Sequence, residues 1–192
     1  MRPLDGVRVV DAATILAGPF AASVLGEFGA DVIKVEQPTV GDPMRRLGTV
    51  GPDGDTWWWL SDTRNKESVE LDLRSSEGAE SFRSMVDRAD VLVENFRTGT
   101  MERWGLGFES LRERNPRLIQ LSVSGYGRTG PLAATAGVAR IAESFTGMSH
   151  LTGEADGPPN LSGSSGLADY LAGLYGALGV LLAVRSREAT GR

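Results

Sequence analysis

No cysteine occurs in the 192 residues, so thiol catalysis, thiolate-bound zinc, iron–sulfur chemistry and disulfide bracing are all excluded. Histidine is almost as scarce. His150 is the single one, and it sits in Met148-Ser149-His150-Leu151-Thr152 without the neighbours that would mark a catalytic base or a metal ligand. Lysine is confined to Lys34 and Lys66, and the remaining basic residues are arginines, whose planar fork suits phosphate and carboxylate groups. The net charge is −5, which argues against nucleic-acid binding through a broadly basic surface. No long apolar run is present either. The longest stretch, residues 170 to 184, is shorter than a bilayer span and contains three glycines. The first residues have no apolar leader. These absences together lead us to expect a soluble cytoplasmic protein, without a membrane or nucleic-acid partner and without a metal.

What is present reads as alternating strands and helices. Residues 7–11 form a short apolar strand, Gly18-Pro19 a turn, and residues 20–28 a helix stopped by Gly29. Residues 31–36 are a second strand, closed by Gln37-Pro38. The alternation continues with a strand at 68–73, a helix at 75–89, a strand at 91–94, a helix at 108–115 and a strand at 118–122. This order predicts an α/β fold: a Rossmann-like, open, mostly parallel sheet with flanking helices and right-handed crossovers. Sites in such sheets gather beyond the C-terminal strand ends, which places residues 11–18, 36–46, 95–99 and 124–130 along one edge. After Gly130-Pro131 the sequence turns to Gly, Ala, Ser and Thr, with one helix expected at 139–145. An apolar helix over 170–187 follows, opened by Asp169.

Three motifs carry chemical readings. Gly125-Tyr126-Gly127-Arg128-Thr129-Gly130 has the spacing of a dinucleotide loop. However, Pro131 follows it, no helix opens there, and no strand ending in an acid comes about twenty residues later. It is read as a glycine-rich turn. Gly163-Ser164-Ser165-Gly166 is not a nucleophile elbow. Asp169 stands before an apolar helix, where an aspartate commonly serves as N-cap; a helix N-terminus also holds a carboxylate ionised and can stabilise nearby negative charge.

The ordered set of segments resembles family III CoA-transferases, the formyl-CoA transferase-like or CaiB/BaiF family. The resemblance rests on Gly6 to Asp11 with Ala17-Gly18-Pro19-Phe20, on Leu25 to Glu36, and on Gly41-Asp42-Pro43 with Arg45 and Arg46. It continues through Asn65 to Leu73, Asp90 to Arg97, Asn115 to Ile119, Ser124 to Pro131, Thr152 to Pro159 with Ala168-Asp169, and Thr190-Gly191-Arg192. It implies that residues 1–192 are the N-terminal, CoA-binding portion of the large domain, without the family's second domain and C-terminal return. It implies a transferase that moves coenzyme A from an acyl-CoA to a carboxylic acid, with Asp169 as covalent nucleophile and no prosthetic group. CoA contacts carry over to Leu16 and Ala17, to Leu71, Asp72, Leu73 and Arg74, to Asn95, Phe96 and Arg97, and to Arg103. The native enzyme would be an interlocked homodimer, or would need a complementary C-terminal half. Gln37 replaces an arginine that some members carry, and Gly137-Val138-Ala139 replaces a glycine-aromatic-acid pattern. The latter also removes the histidine of 2-methylacyl-CoA racemases, which ranks a racemase below a transferase. Because the chain is about half the usual family length, an inactive fragment or split subunit that binds CoA, or merely assembles, without turnover is the alternative.

Overall fold

A computed structural model of the chain describes residues 1–161, 163 and 166–191. Five strands, β1 (Arg8–Asp11), β2 (Asp31–Glu36), β3 (Lys66–Glu70), β4 (Val91–Glu94) and β5 (Ile119–Ser122), form one sheet in the order β3-β2-β1-β4-β5. Every neighbouring pair is parallel, with Val9 paired to Val32 on one side and to Val91 on the other. The expected open parallel α/β sheet is therefore present. The chain order reverses across β1 and β4, which makes the gap beyond Asp11 and Glu94 the topological switch point.

The central strands are apolar on both faces because helices cover both. Val9, Val10, Val91, Leu92 and Val93 are all buried. On one face α1 (Ala17–Glu27) and α8 (Leu167–Thr190) pack over Val9, Val32, Val91 and Val93. On the other, α3 (Ser76–Val86), α4 (Thr100–Arg103) and α5 (Phe108–Arg114) contribute Phe82, Met101 and Leu111 to a second core against Val10 and Leu92.

α1 begins at Ala17, so the expected Gly18-Pro19 turn is its first turn, where proline is tolerated. α3 carries the cap that its sequence announces: the Ser75 hydroxyl accepts the Gly78 N–H at 3.0 Å. The strand expected over 68–73 lies over Lys66–Glu70, since residues 71–74 turn toward α3. Three short helices had no expectation: α2 (Trp57–Asp62), α7 (Met148–Leu151) and α4. α6 (Ala139–Phe145) lies where it was expected.

α8 runs for 24 residues, beyond the apolar stretch in both directions, and by length and composition alone it is sufficient to cross a membrane. Here it buries Gly173, Ala177, Val180, Val184 and Arg187 and leaves Leu174, Tyr175, Leu178 and Leu182 exposed. Gly173 permits the close approach to α1. A methyl group there would stand 2.8 Å from the Ala17 carbonyl oxygen and 2.9 Å from the Phe20 ring. One expectation fails at the start of α8. Gly166, not Asp169, is the N-cap, and Asp169 lies inside the first turn, because Leu167 and Ala168 already have helical geometry.

Candidate active site

A cavity of about 430 Å³ opens at the switch point. Three loops and one helix end build it. The β1–α1 loop supplies residues 14–17, the segment after β4 supplies 95–98, and the small-residue stretch 133–139 forms a wall. Ala168, Asp169 and Ala172 of α8 close it. The glycine-rich turn belongs to this wall: Gly125 packs directly on Gly137, where a Cβ would come within 2.6 Å of the opposing Cα. No helix begins between Gly125 and Ala139, which removes the dinucleotide reading.

Asp169 is half-buried at the rim of this cavity. Burial pushes its carboxyl above the ordinary carboxylate range, and the charge of Glu143, itself buried on α6, pushes in the same direction. Neighbouring contacts fix the turn that carries it. A Cβ on Gly166 would lie 2.5 Å from Leu16 Cδ2, so the helix start rests directly on the β1–α1 loop. The Tyr170 hydroxyl donates to Asp62 Oδ2 at 2.7 Å, and Trp58 Nε1 donates to the same oxygen at 2.9 Å. Burial together with that carboxylate pushes the Tyr170 phenol up to about 12, so it stays a donor. The Tyr170 ring meets Phe20 edge-on at 4.8 Å between centroids. Helix α2, which no sequence signal announced, thus anchors the residue next to Asp169.

Six of the expected site residues share this cavity: Leu16, Ala17, Asn95, Phe96, Arg97 and Asp169. Asn95 also braces it, since its amide accepts the Thr14 N–H at 2.8 Å and donates to the Thr14 carbonyl at 2.7 Å. Arg97 stands exposed at the rim, with no ion pair among the described residues. The other five do not line the cavity. Leu71 and Leu73 pack into the second core beyond edge strand β3. Arg74 pairs with Asp72 at 2.8 Å on the surface, and Arg103 donates to Thr100 Oγ1 on α4. His150 is exposed and lies outside the cavity lining. Ser164 and Ser165 of the serine-rich motif lie outside the described residues.

Thr14, Ile15 and Thr98 lie in segments that the sequence placed at the strand ends, although none was singled out, and the wall 133–139 was missed. The signal for the wall was the sudden run of Ala, Gly and Thr after Pro131, a composition that leaves space rather than filling it.

Below the cavity lies a set of buried charges. Lys66 Nζ meets Asp11 Oδ2 at 2.8 Å, and Lys34 Nζ meets Asp42 Oδ2 at 3.2 Å; all four side chains are at most 2% exposed. Glu36 accepts from Arg45 twice, at 2.8 Å, and from Ser68 at 2.5 Å. Burial raises the Glu36 pKa, but these donors outweigh it and hold the carboxyl at about 2.

An open parallel sheet with a ligand-sized cavity at its switch point is the arrangement in which α/β domains bind small molecules. Sequence comparison gives the particular kind: the chain belongs to CoA-transferase family III, whose sequence profile matches residues 4–192. It is 56% identical over 190 residues to the beta subunit of a succinyl-CoA--L-malate CoA-transferase from Chloroflexus aurantiacus, covering 99% of this chain and 47% of that protein. It is 47% identical to a succinyl-CoA--D-citramalate CoA-transferase from the same organism, over 100% of this chain and 47% of the relative. A CAIB/BAIF family protein from Brucella suis superposes with a TM-score of 0.94 at 40% identity, over 100% of this chain and 51% of that one. The chain spans about half the length of the curated relatives it matches.

Proposed function

We propose that this chain is the CoA-binding half of a CoA-transferase that moves coenzyme A from an acyl-CoA to a carboxylic acid, with Asp169 as the nucleophile. The observation that carries this reading is the placement of the Asp169 carboxylate in one cavity with residues 14–17 and 95–97. An Asp169 oxygen attacks the thioester carbonyl, forming an acyl–aspartyl anhydride and releasing CoA thiolate. The thiolate attacks the aspartyl carbonyl, so that the donor leaves as its carboxylate and an aspartyl-CoA thioester remains. The acceptor carboxylate attacks that thioester, and the expelled thiolate then takes the acceptor's acyl group and frees Asp169. No step needs an added proton donor or a metal. Burial of Asp169 supports the role, because a carboxylate with raised basicity is a stronger nucleophile once ionised. Arg97 at the rim, with Arg74 and Arg103 further out, would meet the phosphates, and Leu16, Ala17 and Phe96 the pantetheine arm; Asn95 holds the loop between them. Leu71, Asp72 and Leu73 would lie toward the adenosine end. The relatives' names favour succinyl-CoA as donor and a hydroxydicarboxylic acid as acceptor.

The test is mass spectrometry of the chain after incubation with succinyl-CoA, followed by hydroxylamine or borohydride trapping. Modification at Asp169 that vanishes in Asp169→Ala is the expected result. Modification elsewhere, or persisting in that variant, overturns the assignment. The half-length coverage favours a second reading, in which the chain binds CoA but turns over only with a second copy or a complementary C-terminal half. CoA binding without any adduct, and an adduct once that half is supplied, would establish it.

A further inference from the structure

Ile15 is a β-branched residue at φ 65°, in the left-handed region that such side chains rarely adopt. Its side chain is not needed to fill the core: Ile15 is 44% exposed and lines the cavity. Glycine or asparagine would take this backbone conformation at lower cost. Strain of this kind persists only where the surroundings enforce it, and here they do. The Ile15 N–H donates to Asp42 Oδ1 at 3.1 Å, and the same oxygen accepts the Met44 N–H at 2.8 Å. Asp42 Oδ2 pairs with Lys34, whose ammonium also donates to the Ala13 carbonyl. Asn95 grips both backbone groups of Thr14 between them. Three consecutive residues are thus held by side chains from β2, from the loop after it and from the end of β4. The Asp42 N–H is itself fixed by Glu36 Oε2 at 2.8 Å.

We infer that Ile15 is a substrate-binding residue, and that the buried Lys34–Asp42 pair is a positioning device that aims its side chain into the cavity. This deepens the functional reading above and rests on it: the ligand is an acyl-CoA, and Ile15 meets its apolar thioester arm. Asp42 touches no ligand and acts through Ile15.

The experiment is calorimetric titration of the full chain with CoA and with succinyl-CoA, alongside thermal melting. Ile15→Gly keeps the backbone conformation and removes the wall. It should weaken binding about tenfold, the lower end of what an apolar pocket group contributes, without lowering Tm. Ile15→Val should fall between Ile15→Gly and the native chain. Asp42→Asn should weaken binding in the native background but add nothing once residue 15 is glycine, because the two act as one unit. Unchanged affinity in Ile15→Gly overturns the inference even if Asp42→Asn fails to fold. A loss in Ile15→Gly that only follows a fall in Tm overturns it as well. A native chain that binds neither ligand overturns the functional reading, and this inference with it.

Discussion

Consider the removal of Lys66. Its ammonium is 2.8 Å from Asp11 Oδ2 and 2.7 Å from the Pro19 carbonyl, while Asp11 is fully buried and, among the described residues, its side chain otherwise accepts only the Ala13 N–H, on Oδ1. Lys66→Met leaves an unpaired carboxylate beneath the sheet edge, a loss of about 3–5 kcal/mol. At about 2–4 °C per kcal/mol for a chain of this size, Tm should fall by roughly 6–20 °C. Asp11→Leu strands the ammonium instead and should cost a similar amount. The double variant Lys66→Met with Asp11→Leu removes both desolvated charges, and it should return to within about 2 kcal/mol of the native chain. The direction of the Lys66 pKa agrees with this: burial lowers it, more than the attraction of Asp11 raises it. The pair is thus a liability whose halves cannot be removed singly. Urea unfolding followed by circular dichroism, with m-values compared across the four proteins, measures the cycle. Additive losses in the double variant would refute the reasoning, as would a Lys66→Met loss below about 1 kcal/mol.

Gly173→Ala should drive the first turns of α8 away from α1, because the added methyl meets the Ala17 backbone carbonyl oxygen at 2.8 Å, and so shift Asp169. A displacement near 1 Å costs on the order of 100-fold in adduct formation with succinyl-CoA, measured by trapping. Because the Asp169 carboxyl is held above its ordinary range and must be ionised to attack, adduct formation should fall with decreasing pH on a limb above 3.8. Glu143→Gln should move that limb downward while burial keeps it raised, as single-turnover rates against pH would show. Glu36 is depressed from 4.5 to about 2, so its contribution is complete above about 4.5 and lost as pH falls toward 2. That contribution is at most about 3 kcal/mol, and acid titration of Tm should show it shrinking in Arg45→Ala.

The legible parts of this fold were those written in apolar runs. Val7 to Asp11, Asp31 to Glu36 and Val91 to Glu94 read as buried strands because their central positions are apolar apart from Arg8, which is exposed at the start of β1, and Lys34. That lysine is tolerated only because Asp42 reaches it from the following loop. The strand order was not legible, since the helical crossovers leave several arrangements open. Helix α2 escaped because Trp57-Trp58-Trp59 shows neither a helical nor a strand period; its start is fixed by Thr56, whose hydroxyl accepts the Trp59 N–H. The cavity wall at 133–139 has no period at all. The resemblance pointed to Asp169 and to both neighbouring loops, yet its remaining contacts, Leu71 to Arg74 and Arg103, lie away from the cavity. Strand β2 stands between β3 and the switch point, so only a long ligand could reach from one to the other. Ile15 carried no signal, because backbone strain is invisible in a residue's name.

Sealing both lysines inside has a consequence for how this molecule meets amine-directed chemistry. Neither ammonium is available to an acylating reagent or a modifying enzyme while the chain is folded. Lysine labelling would therefore act as a clock for global opening, silent in the native state and rapid in the denatured one. Apart from the α-amino group of Met1, the positive surface that remains is guanidinium. It carries the same charge at pH 6 as at pH 10, so phosphate attraction at the rim should be indifferent to alkaline conditions that discharge an ammonium.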